Sequence, residues 1–156
     1  TYINALASSI RQHWQENGKA EKLLLSFHGI PQIYVDQGDP YEAQVKKTVD
    51  KLAHSLDLNK SDFQLTFQSR FGPTQWLQPY TDKTLEEWAL SSVKSVDIVC
   101  PAFSADCLET LEEITIENQQ VFLDNGGEQY NYISALNNSP IHIGMMQELV
   151  SPFLES

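Results

Sequence analysis

Residues 106–117 read Asp-Cys-Leu-Glu-Thr-Leu-Glu-Glu-Ile-Thr-Ile-Glu and place carboxylates at Glu109, Glu113 and Glu117. A spacing of four residues stacks these acids along one face of a helix. Like charges so placed repel and cost helix stability. No Lys or Arg follows Lys94, so no base from the same third of the chain neutralises the row. A ladder of uncompensated acids suits a cation or a moving proton. The competing reading is a solvated surface with acids favoured near a helix N-terminus. It accounts for Asp106 and Glu109 better than for Glu117.

His28 is the second candidate. It closes an apolar run and is followed by Gly29, Ile30 and Pro31, which set a tight turn. A neutral imidazole there can take a proton or bind a divalent metal. A strand-end histidine bonded to backbone is the alternative. His13, His54 and His142 fall on predicted helices and are expected at the surface. Phe71, Trp76 and Tyr80 surround Gly72-Pro73. They either stack on a flat ligand or pin their own loop. Arg70 suits a carboxylate, whether of the protein or of a ligand. The two cysteines, Cys100 and Cys107, show neither CxxC nor zinc-ligand spacing. They read as reduced thiols of a cytosolic protein, with Cys100 a buried small hydrophobe. The chain has no Walker A loop, no GxGxxG and no GxSxG elbow.

The elements that must position these residues alternate. Apolar spacing predicts a helix over Tyr2–Asn17, with Gly18 as its stop. Lys22–His28 contains Leu23-Leu24-Leu25-Ser26-Phe27, a run of buried-strand length. Pro40–Ser55 is helical by pattern, and Phe63–Gln68 alternates as a strand. Asp82 or Thr84 can cap a helix through Val93. Val96–Cys100 is a third strand, stopped by Pro101. Asp106 can cap an acidic helix running to about Asp124, with Gly126-Gly127 as its ending turn. Tyr130–Ala135 reads as a fourth strand, and Pro140 starts a last helix through about Val150. This order predicts one α/β domain of three layers, a parallel four-stranded sheet flanked by helices. Ligands on such sheets bind at the carboxyl ends of the strands. That rule selects His28–Pro31, Gln68–Trp76, Pro101–Glu109 and Leu136–Pro140.

Bulk properties narrow the partners. The 156 residues carry a net charge of −11. Residues 1–94 hold all ten bases and eleven acids, while residues 95–156 hold ten acids and no base. Such a surface repels nucleic-acid backbones and anionic lipid but tolerates metal cations. No apolar run approaches a membrane span. The start, Thr1-Tyr2-Ile3-Asn4, has neither Met nor a signal-peptide pattern and reads like the middle of a longer chain.

Several motifs, in order, resemble ferrochelatase of the bacterial type. They are Leu24-Leu25-Ser26-Phe27-His28-Gly29-Ile30-Pro31, Gly38-Asp39-Pro40-Tyr41, Gln68-Ser69-Arg70-Phe71-Gly72 with Trp76-Leu77, Cys100-Pro101-Ala102-Phe103-Ser104-Ala105-Asp106-Cys107-Leu108-Glu109-Thr110-Leu111-Glu112-Glu113, and Tyr130-Asn131-Tyr132-Ile133 with Leu136-Asn137. The resemblance covers essentially the whole chain and implies a Rossmann-like chelatase lobe. It implies insertion of Fe²⁺ into protoporphyrin IX, the last step of haem synthesis, by a cytoplasmic enzyme. His28 and Glu109 would then be catalytic and, with Glu113 and Glu117, would handle the metal or its protons. Gln68, Ser69, Trp76 and Asp106 would serve the porphyrin. Fe²⁺ accepts both imidazole and carboxylate, so the donor types agree. The usual Pro-Gly-Phe reads Pro101-Ala102-Phe103 here. Some relatives carry an iron–sulfur cluster on C-terminal cysteines. No cysteine follows Cys107, so no cluster and no cofactor beyond the iron substrate is expected. Family members have two α/β lobes, and residues 1–156 match the C-terminal one. The N-terminal lobe is absent, and the isolated chain is expected to turn over poorly. A chelatase for another metal or tetrapyrrole (cobalt, coproporphyrin) and a non-catalytic metal- or haem-binding module are the alternatives.

Overall fold

The computed structural model describes residues 1–154. Four strands form one parallel sheet: β1 (Lys22–His28), β2 (Phe63–Gln68), β3 (Ser95–Val99) and β4 (Gln129–Ile133), in the order β2-β1-β3-β4. The predicted α/β class, with its parallel four-stranded sheet between helices, is the observed one. β1 is central and wholly buried between its ends, with Ser26 its one polar residue there, because both of its faces are covered.

Two apolar clusters divide the molecule across the sheet. On one face, α1 (Tyr2–Asn17) and α3 (Tyr41–Ser55) pack Leu6, Ile10, Val45, Val49 and Leu52 against Leu23, Leu25, Phe27 and Phe67. The short α2 (Gln32–Asp36), which the sequence reading missed, follows the turn after β1. On the other face, α4 (Thr81–Leu90), a π-helix over Glu109–Asn118 and α5 (Gln119–Asp124) enclose Leu24, Ile98, Ile114 and Phe122. Each such fully buried aliphatic side chain contributes about 1.5–3 kcal/mol. The last helix, α6 (Pro140–Leu154), contacts α1. Among the described residues no helix is long and apolar enough to cross a membrane.

The structure corrects several local expectations. The helix predicted from Asp106 to Asp124 is two helices of different winding. Asp106 is not its cap, since the π-helix starts at Glu109 after Leu108. Neither Asp82 nor Thr84 caps α4, whose N-cap is Tyr80. His142 is not at the surface: it is 1% exposed, and its Nδ1 lies 2.6 Å from the Asn137 carbonyl. Gly126-Gly127 does end α5. Gly126 has φ +107°, and a Cβ on Gly127 would stand 2.2 Å from the Phe122 ring.

Candidate functional site at the carboxyl ends of β1, β2 and β3

His28 is the last residue of β1, and its ring orientation is fixed locally. Nδ1 lies 2.6 Å from the Gly29 carbonyl, which can only accept. The neutral ring therefore carries its proton on Nδ1 and keeps the Nε2 lone pair free for a proton or a metal. Tyr41 Oη donates to the His28 carbonyl at 2.7 Å and holds the strand end. The rings of Trp76 and Phe103 stand 6.4 and 6.2 Å from the imidazole. Gly29 is needed there, because a Cβ would come within 3.0 Å of Gln68 O and 3.1 Å of Trp76 Cε3.

The acids lie on the π-helix after β3, the strand neighbouring β1. A ladder closed from residue i to i+5 puts residues four apart just short of a full turn, where an α-helix puts them just past it. Glu109, Glu113 and Glu117 therefore still share one side. Two side chains bond carbonyls five residues back, Thr115 Oγ1 to Thr110 O at 2.7 Å and Asn118 Nδ2 to Glu113 O at 2.9 Å. With Ser69, Arg70, Leu108 and Glu112, the three acids line a groove of about 410 Å³. Glu112 is an acid of this groove that the four-residue spacing does not select.

Each acid has a different setting. Glu109 is exposed and held below the usual carboxylate range, first by the Cys107 thiol, then by its own backbone N–H, and by the His28 charge when that ring is protonated. Burial and Glu109 together push the Cys107 thiol up. Glu113 is gripped by Ser69, whose N–H donates to Oε1 at 2.8 Å and whose Oγ donates to Oε2 at 2.9 Å. Glu117 is exposed at the far end. Arg70 borders the same groove, but its fork is taken by Asp82, with Nη1 and Nη2 at 2.6 and 2.8 Å. It leaves the ladder's charge largely uncompensated. Among the described residues no three His, Cys, Asp or Glu side chains converge closely enough to hold a metal ion by themselves. His28, Glu109, Glu113 and Glu117 thus do not form one ligand cage.

Two residues expected against a porphyrin are occupied by protein. Asp106 Oδ1 accepts from Tyr132 Oη at 2.6 Å, Thr110 Oγ1 at 3.2 Å and Ala135 N at 3.2 Å, and Oδ2 accepts from Asn137 Nδ2 at 2.7 Å. Gln68 is 2% exposed, and its amide bonds on both sides. Each bonds a residue of the π-helix, Gln68 through the Glu109 carbonyl and Asp106 through the Thr110 hydroxyl. Trp76 is 7% exposed and packs on His28 and Phe71, whose ring lies 5.7 Å away. Phe71 itself is exposed at 79%, the one aromatic of this loop free to meet a flat ligand. Sequence reasoning passed over Thr110, Tyr132 and Asn137. Only their recurrence in the quoted motifs marked them.

Comparison with known proteins shows the family. A family model of ferrochelatase matches residues 1–153. A protein from Psychrobacter arcticus named ferrochelatase is 52% identical over 154 residues, 99% of this chain and 45% of that protein. Its namesake in Vibrio vulnificus is 55% identical over 150 residues, 96% of this chain and 47% of the other. That of Teredinibacter turnerae is 54% identical over 149 residues, 96% of this chain and 41% of the other. The chain spans about half the length, or somewhat less, of these relatives.

Proposed function

We propose that this chain, which belongs to the ferrochelatase family, is the C-terminal lobe of a cytoplasmic enzyme that inserts ferrous iron into protoporphyrin IX. What most supports the reading is His28 at the carboxyl end of β1, with the Glu109 carboxylate on the π-helix after β3 near enough to respond to its charge. His28 presents a free imidazole lone pair at Nε2, and Glu109 presents an ionised carboxylate. Insertion exchanges one Fe²⁺ for two pyrrole protons, so the site needs a base at the macrocycle and a route for charge. His28 Nε2 takes a pyrrole proton, and the Glu109 carboxylate favours the imidazolium that results. Glu113 and Glu117 continue the acidic groove outward and carry protons away, or the hydrated cation inward. The exposed ring of Phe71 beside Trp76 offers an apolar rim. The preceding lobe supplies the opposite wall of the cleft.

The test is steady-state iron and zinc insertion by the full-length enzyme, followed by porphyrin absorbance. His28→Ala and Glu109→Gln are each expected to cost about a hundredfold or more in kcat, the scale of a lost general base. Insertion at wild-type rates by both variants would overturn the assignment.

A further inference from the structure

Gln68 makes no use of its amide at the surface. Its Oε1 accepts from Ser26 Oγ at 2.8 Å and Cys100 Sγ at 3.4 Å. Its Nε2 donates to the backbone carbonyl of Glu109 at 3.1 Å. Ser26 Oγ lies 2.8 Å from Thr81 Oγ1, which lies 3.0 Å from Thr66 Oγ1. Ser26, Thr66, Thr81 and Gln68 are all at or below 2% exposed. A polar chain buried so completely rigidifies its surroundings only when every member is satisfied, as these are. It runs through an otherwise apolar layer and ends on the first residue of the π-helix.

The main chain of Gln68 does a second job. Gln68 is the register partner of His28 across β1 and β2. Its carbonyl accepts Gly29 N–H at 2.9 Å, at the turn that sets the imidazole. One residue therefore grips the His28 turn with its backbone and the Glu109 backbone with its side chain. Only an amide of this length fits, because its acceptor faces the donors of Ser26 and Cys100 while its donor faces a carbonyl.

We propose that Gln68, oriented by Ser26, is a positioning residue that fixes the separation of His28 and Glu109. This rests on the metal-insertion reading above. Gln68 touches neither metal nor porphyrin, and its effect travels through Glu109.

The experiment compares Gln68→Met, Ser26→Ala and the double variant in the full-length enzyme. Gln68→Met keeps the volume and removes both bonds. It is expected to lower kcat about tenfold or more while the porphyrin KM stays within about twofold. Ser26 does not line the groove, yet Ser26→Ala is expected to lower kcat in the same direction by a smaller factor. The double variant should be no slower than Gln68→Met, since the strut is already gone. Hydrogen exchange over residues 109–114 should quicken in both single variants. A raised porphyrin KM at unchanged kcat makes Gln68 a substrate contact and overturns the proposal. So does wild-type kcat with wild-type exchange in Ser26→Ala, which stands even if Gln68→Met does not fold. A wild-type enzyme with no insertion activity would instead sink the chelatase reading, and exchange at 109–114 would still report on the strut.

Discussion

Ser69 and Glu113 are joined twice, by the Ser69 N–H to Oε1 at 2.8 Å and by Ser69 Oγ to Oε2 at 2.9 Å. Ser69 presents both donors because it sits at φ +68°, a left-handed conformation that non-glycine residues rarely adopt. The Glu113 carboxylate is therefore fixed from the loop after β2, not from its own helix. Ser69→Ala removes the hydroxyl bond and leaves the backbone one. The expected outcome is a slower metal-insertion rate, by no more than about tenfold, with about 1.5 kcal/mol less stability, the low end for one bond to a charged group. Ser69→Gly should lose the same bond while relaxing the backbone. A combined measurement of kcat and the chemical-denaturation midpoint checks both.

The Asp106 carboxylate makes stability depend on acid. Burial opposes its ionisation, but bonds from Asn137, Tyr132, the Ala135 N–H and Thr110 outweigh that and hold it below the ordinary carboxylate range. A group with a depressed folded pKa stabilises the fold at any pH above its unfolded value. That contribution is lost as pH falls below about 3.9 and through the folded value. Asp106→Asn should show a flatter loss of stability over that acid window than the wild type. At neutral pH the same variant should be less stable by about 2 kcal/mol, because Tyr132 and Thr110 lose a charged acceptor. Denaturation midpoints measured from neutral pH to the acid limb read both effects.

How far the sequence reached depended on the range of the interactions. The alternation of helices and strands comes from local apolar pattern, so β1 and β2 were readable residue by residue, and with them the place of His28 at a strand end. Carboxylates four residues apart were equally visible. Their helix type was not, because an i→i+4 pattern fits both windings nearly as well. The π form is supported by distant partners, such as the Gln68 amide reaching the Glu109 carbonyl and Tyr130 Oη reaching Ile114 O. The same limit explains His142, which a helical pattern placed outside. It is buried because the loop at Asn137, φ +47°, turns its carbonyl onto the ring. Gln68 and Asp106 were recognised through motifs as site residues, but only the packing shows that their polar atoms face inward.

Asp97 supports the opposite end of the sheet. At 1% exposed, it accepts from Trp14 Nε1 at 2.7 Å, Asn131 Nδ2 at 2.8 Å and Ala20 N at 3.1 Å, with His13 Nε2 at 3.6 Å from Oδ1. It ties α1 to β3 and β4 far from the groove. Asp97→Ala leaves three donors without an acceptor, each costing about 1–3 kcal/mol. A loss of about 3 kcal/mol or more is expected, with a change in Trp14 fluorescence. The folded fraction should keep its kcat, and a selective loss of kcat at full stability would contradict this division of labour.

Gly29 gives the sharpest separation of activity from stability. Its missing side chain leaves room for the Trp76 ring and for the Gln68 carbonyl that receives its N–H. In Gly29→Ala the new methyl meets one rigid backbone atom and one ring that is 7% exposed, so neither neighbour gives way easily. The turn must move instead, and the imidazole moves with it, because His28 Nδ1 is bound to the Gly29 carbonyl. The shift needed is a few tenths of an ångström, which costs about 1–2 kcal/mol of stability, the lower part of the overpacking range. Catalysis is more sensitive, since small misplacements near reacting groups can cost up to about a hundredfold. Gly29→Ala in the full-length enzyme should therefore lose a much larger factor in kcat than its melting shift implies. Trp76→Leu in the same background vacates the space taken by the ring and should recover part of that kcat. If Gly29→Ala retains wild-type kcat, His28 does not depend on this turn for its position.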